Sequence, residues 1–135
     1  MKGFVESRGI WVDADKSVTI SRCGDKWVAA MVFGKLPRSC HAKRDTPEAA
    51  HSALLRTKVL ALPEVPAGKQ VSPAKVSEAM QAAGMTGIAV WCAIGYAPGG
   101  NSNLYAVLGG RTPMLPVLAR RLLRFFGDAV LEAAP

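Results

Sequence analysis

Ser17-Val18-Thr19-Ile20-Ser21-Arg22 and Trp27-Val28-Ala29-Ala30-Met31-Val32-Phe33, joined through Cys23-Gly24-Asp25-Lys26, decide the fold class of this chain. In the first run Val18 and Ile20 alternate with Thr19 and Ser21, the two-residue period of a strand. A Gly-Asp pair between two β-prone runs is a hairpin signal. The second run is apolar on both sides. Trp27, Ala29, Met31 and Phe33 point one way, and Val28, Ala30 and Val32 the other. A half-exposed antiparallel sheet would carry polar residues on one face. The hairpin therefore expects cover on both.

Outward from the hairpin, Gly9-Ile10-Trp11-Val12 reads as a short strand closed by Asp13-Ala14-Asp15. On the other side Lys35-Leu36-Pro37-Arg38 makes a turn, and Cys40 to Arg44 adds a partly wet strand. Asp45-Thr46-Pro47-Glu48 is a helix start: Thr46 can accept an early backbone N–H, Pro47 has none to lose, and Glu48 suits the positive helix end. This helix is predicted from Pro47 to about Leu62, ended by Pro63. Residues 63–71 form a connector and the only internal sub-boundary. A second helix has Ser72 as cap, Pro73 first inside and Gly84 as its left-handed stop. Ile88 to Tyr96 and Leu104 to Leu108 read as further strands, separated by Pro98-Gly99-Gly100-Asn101-Ser102-Asn103. Thr112-Pro113 opens a last helix running to about Leu131. The expected fold is α+β: a mostly antiparallel sheet with three helices, in the order βββα-α-ββα, in one compact domain over residues 1–135. Two helices on one face and one on the other would hide the sheet. A face left bare would serve a partner or a homodimer.

Half of the 135 residues are hydrophobic and 20% are charged, which excludes a disordered tail. The three cysteines Cys23, Cys40 and Cys92 are an odd set without a CxxC pair, so buried thiols in a reducing compartment are expected. Glu6 and Arg8 precede any apolar run, unlike a signal peptide. The longest uncharged stretch, Gly87 to Gly110, is interrupted by Pro98 and several glycines, which does not suit a membrane helix. A cytoplasmic protein with no membrane contact is expected. Lys and Arg outnumber Asp and Glu by 17 to 10, giving +7 and favouring a polyanion or an acidic protein face.

Trp27-Val28-Ala29-Ala30-Met31-Val32, Leu36-Pro37, Cys40 and Asp45-Thr46-Pro47-Glu48-Ala49-Ala50 together resemble the N-terminal module of HicB-type antitoxins, over residues 17–62. That resemblance implies a non-catalytic module that binds and silences a basic or nucleic-acid-handling partner protein. The same stretch resembles the βββα DNA-binding modules of AP2 type and of integrase arm domains, where a Trp-bearing strand precedes a Thr-x-Glu-Ala-Ala helix. This second resemblance implies phosphate contacts from Lys26, Lys35, Arg38, Lys43 and Arg44.

Chemistry-bearing clusters are sparse. Cys40-His41 with His51 could form a thiol–imidazole pair, but zinc would need a fourth ligand, and none presents itself. Gly109-Gly110-Arg111-Thr112 before a helix could hold a phosphate on backbone N–H groups, although no Gly-Lys-Ser/Thr follows. Arg120, Arg121 and Arg124 form the densest cationic stripe. No cofactor, metal site or catalytic residue is expected. The leading expectation is a small inhibitor or antitoxin-like regulator docking on a protein partner, such as a nucleic-acid-handling protein or complex of phage or mobile-element type. Its binding residues would be Lys35, Arg38, Lys43, Arg44, Arg111, Arg120, Arg121 and Arg124. The alternative is a direct DNA- or RNA-binding module, and the third reading a Cys40-dependent enzyme.

Overall fold

A computed structural model describes residues 1–135. The chain opens with β1 (Phe4–Ser7), β2 (Ile10–Asp13), β3 (Val18–Cys23) and β4 (Lys26–Met31), followed by β5 (Arg38–Ser39) and β6 (His41–Arg44). β1, β2, β3, β4 and β6 lie in that order in one antiparallel sheet. The central hairpin pairs Val18 with Met31 through to Cys23 with Lys26, around a two-residue turn whose Gly24 takes φ 63°. β1 had no apolar alternation to announce it. It forms because Arg8-Gly9, both at positive φ, makes a tight two-residue turn that sets Ser7 against Ile10.

The first helix, α1 (Pro47–Arg56), begins as its sequence dictates, with the Thr46 hydroxyl accepting from the Ala49 N–H at 3.1 Å. It stops six residues short of Leu62. Thr57 turns its hydroxyl back to the Ala53 carbonyl at 2.8 Å, and the chain leaves in extended form to β7 (Leu60–Ala61), which pairs with β5. The β-branched Thr57 and Val59 favour that exit once β5 offers a pairing edge. After β8 (Lys69–Val71) comes α2 (Pro73–Ala82), capped by Ser72 as expected.

The two later strands of the expected order are helices instead: α3 (Gly87–Ala93) and α4 (Ser102–Leu108). Short uncharged apolar runs do not distinguish a strand from a buried helix by periodicity. Capping decided for the helix, because Thr86 accepts from the Ala89 N–H at 3.2 Å. All residues of α3 are buried, so the run needs no polar face. The last helix, α5 (Pro116–Phe126), starts at Pro116 rather than Pro113 and ends at Gly127, φ 75°. A 3-10 turn (Gly127–Val130) then leads into β9 (Leu131–Ala133), which pairs with β8. The molecule is thus α+β with five helices, not three.

Both faces of the central hairpin are covered, each with its own core. On one face Ile20, Ala29 and Ala42 pack against Ala50, Ala53 and Leu54 of α1. On the other, Val28 and Cys23 join a larger core built with Val76 and Met80 of α2, residues 88–93 of α3, Leu104 of α4 and Leu122 of α5. The Thr19 hydroxyl donates to the Cys92 carbonyl at 3.4 Å, tying α3 to β3. Val28 and Leu54 are 0% and 1% exposed, and each such side chain contributes roughly 1.5–3 kcal/mol.

Candidate macromolecular interface

Strand alternation separates the thiol from the imidazole. Cys40 lies in the α1 core, its Sγ donating to the Thr57 carbonyl at 3.6 Å. His41, the next residue, faces the opposite side of the sheet, with its ring centroid 5.1 Å from that of Phe125 in α5. Burial, aided by the Arg124 and Lys43 charges, pushes His41 down to about 4, so its ring is neutral at pH 7. Burial raises the Cys40 thiol, and the Arg124 charge opposes that only in part. His51 packs edge-on against Phe4 at 5.2 Å.

The arginines of α5 do not form one surface stripe. Arg120 donates from Nε to the Pro63 carbonyl at 3.0 Å and from Nη2 to the Leu62 carbonyl at 2.8 Å, and pairs with Glu64 at 3.1 Å. It thereby straps the connector onto α5. Arg121 is 1% exposed. Its guanidinium donates to the carbonyls of Ile94 and Leu36 at 3.2 and 2.5 Å and lies 4.4 Å from the Tyr96 ring centre. It caps the C-terminal end of α3, where carbonyls lack partners. Arg124, half-buried like Arg120, lies beside His41.

The Gly109–Thr112 turn is likewise committed. The N–H groups of Gly109, Gly110, Arg111 and Thr112 donate to carbonyls of Tyr105, Val107 and Ala106, closing α4. They sit at a helix C-terminus, so they offer no anion cradle, although the Arg111 and Thr112 side chains are exposed.

Lys35, Arg38, Lys43 and Arg44 are all exposed. Lys43 places its Nζ 5.0 Å from the Phe125 ring centre, near His41 and Arg124. Arg44 stands across from Trp27 on the other sheet face. Lys35 and Arg38 flank the β5–β7 ribbon, where Arg38 pairs with Ala61 and Ser39 with Leu60. The Leu62 N–H donates to the Pro37 carbonyl at 3.1 Å, which draws the Leu36-Pro37 turn beside the same ribbon. Here sequence reading missed the apolar half of the surface. Leu36 is 55% exposed, Leu60 44% and Val59 38%. Around them stand the exposed cations Lys35, Arg38, Arg56 and Lys58, none in an ion pair, because the only two pairs are Lys26–Asp45 and Arg120–Glu64. A helix continued through Leu62 would instead carry Val59 and Leu60 within it, so the grouping appears only because α1 ends at Arg56.

A second grouping lies where α1 leaves the sheet uncovered. Arg22, Trp27 and Arg44 are direct neighbours across β3, β4 and β6. Trp11 lies 5.6 Å from Trp27, centroid to centroid, and the Arg22 guanidinium 5.2 Å from the Trp27 ring centre. No helix is long and apolar enough to cross a membrane. Comparison with protein-family models, curated proteins and solved structures returns no match.

Proposed function

We propose that this chain is a non-catalytic basic binding protein, an inhibitor or antitoxin-like regulator that docks on an acidic face of a protein partner in nucleic-acid handling. One observation carries the reading: the exposed Leu36, Val59 and Leu60 amid the unpaired Lys35, Arg38, Arg56 and Lys58 of the β5–β7 ribbon. Exposed aliphatic side chains gain free energy only against another apolar surface, whereas a phosphate backbone offers them nothing. Cations around an apolar centre suit an acidic rim on the partner, which speeds encounter and fixes register. The alternative of direct nucleic-acid binding through the α5 arginines has less support, because Arg120 and Arg121 already hold backbone carbonyls. A thiol enzyme has no support from Cys40 and His41, which face different cores.

The test is co-purification from the native host with wild type and with a variant carrying Arg38→Glu, Arg56→Glu and Lys58→Glu. These residues are exposed, so the fold should persist. An acidic protein retained by wild type and lost from the variant is the expected outcome. Equal retention by both removes the ribbon as the docking surface.

A further inference from the structure

At the end of the sheet beyond α1, a cleft of about 570 Å³ reaches from Trp11, Trp27 and Phe4 to Thr86 and Ala89 at the start of α3, with Arg8 and Arg22 among its polar groups. Binding sites for small groups commonly enclose roughly 300–1,000 Å³. Three features set this cleft apart. Both tryptophans are only half-buried, although indole rings usually end in cores or at interfaces. Arg22 lies over the Trp27 ring and is held by a bond from its Nη2 to the Gly24 carbonyl at 3.2 Å, so its guanidinium plane is pre-oriented. Arg8 occupies the tip of the β1–β2 turn at φ 54°, a left-handed conformation that glycine or asparagine adopts more cheaply. Neither Arg8 nor Arg22 is in an ion pair. Arg44, on the far side of Trp27, extends the cationic row past the cleft. The one carboxylate in the lining, Glu6, accepts the Gly9 N–H at 2.9 Å and so is directed at the turn.

We infer that this cleft binds single-stranded nucleic acid, its bases stacking on Trp11 and on the Trp27–Arg22 pair and its phosphates meeting Arg8, Arg22 and Arg44. Flat aromatic and guanidinium surfaces inside a cationic groove are what unpaired bases require, and every base has a face to stack. A duplex keeps its base faces stacked inside, so a recessed indole pair has nothing to grip there. The site is separate from the β5–β7 ribbon. A regulator docked on a nucleic-acid-handling partner could thus touch the strand that partner carries.

The probe is a fluorescein-labelled oligo(dT) of about 12 nucleotides, followed by anisotropy at rising salt, with a duplex of equal length alongside. Saturable binding of the single strand at low salt is expected, with a log–log salt slope of about −2 for three phosphate contacts. Trp27→Ala should weaken it on the order of tenfold, and Arg22→Glu, at an exposed position, should weaken it at least as much without altering the thermal melt. Arg8→Asn supplies a control that misfolding cannot imitate: it relaxes the turn, so the melt should rise or hold while affinity falls several-fold. No binding at low salt, unchanged affinity in Arg22→Glu and Arg8→Asn, or equal affinity for the duplex would each overturn the inference.

Discussion

Arg121 shows how far a single residue's role can depart from its type. Between Arg120 and Arg124 it reads as a third surface cation, yet it lies about 100° around the helix from Arg120 and points inward. Burial lowers its pKa, and the Tyr96 phenol opposes that only weakly. No carboxylate answers its charge; carbonyls of Ile94 and Leu36 do. Its Nε and the Ser21 hydroxyl are the two buried side-chain polar atoms without a partner. Arg121→Ala removes two charge-assisted bonds and leaves a cavity, so it should destabilise the fold by about 3 kcal/mol or more in urea unfolding. Ser21→Ala should do the reverse, raising stability by about 1 kcal/mol, because it deletes an unpaired hydroxyl that folding desolvates. A loss of stability in Ser21→Ala would mean that hydroxyl is satisfied.

Among the elements, the starts of α1 and α2 and the central turn were legible from their capping and turn residues, and elements with apolar content alone were not. The central hairpin had its Gly24-Asp25 turn, α1 had Thr46-Pro47, and α2 had Ser72-Pro73 and Gly84; each starts where these residues put it. The Ile88–Tyr96 run had no polar face to show a period. Its deciding residue was Thr86, one position before the helix, which also follows the Gly84 stop. Thr86→Ala should cost about 1 kcal/mol, read by urea unfolding, as for other N-caps. β7 and β9 were illegible for another reason: each is two or three residues long and exists only because a distant strand supplies its edge. The candidate interface followed the same division. Lys35, Arg38, Lys43 and Arg44 were legible as exposed cations, whereas Leu36, Val59 and Leu60 became surface residues only through the early end of α1.

Across the whole molecule, a central hairpin buried on both sides pushes recognition to the ends and margins of the sheet. His41 reports on that burial. Its ring is neutral in the fold, with Phe125 against it and the Lys43 and Arg124 charges beside it. Because the folded value is about 4 against an ordinary 6.5, the unfolded chain takes up the proton first. Stability from this group is therefore complete above pH 6.5 and declines as pH falls toward about 4. The loss should reach up to about 3 kcal/mol, and urea unfolding of His41→Gln should lack that slope.

The claim that the β5–β7 ribbon is the docking surface is tested most directly by site-specific photo-crosslinking in the native host. A photoreactive residue replaces Leu60 in one variant and Glu78, exposed on α2, in another. The account predicts a discrete protein adduct from position 60, lost when Arg38, Arg56 and Lys58 are reversed in charge, and none from position 78. The same adduct from position 78 with none from position 60 would contradict it.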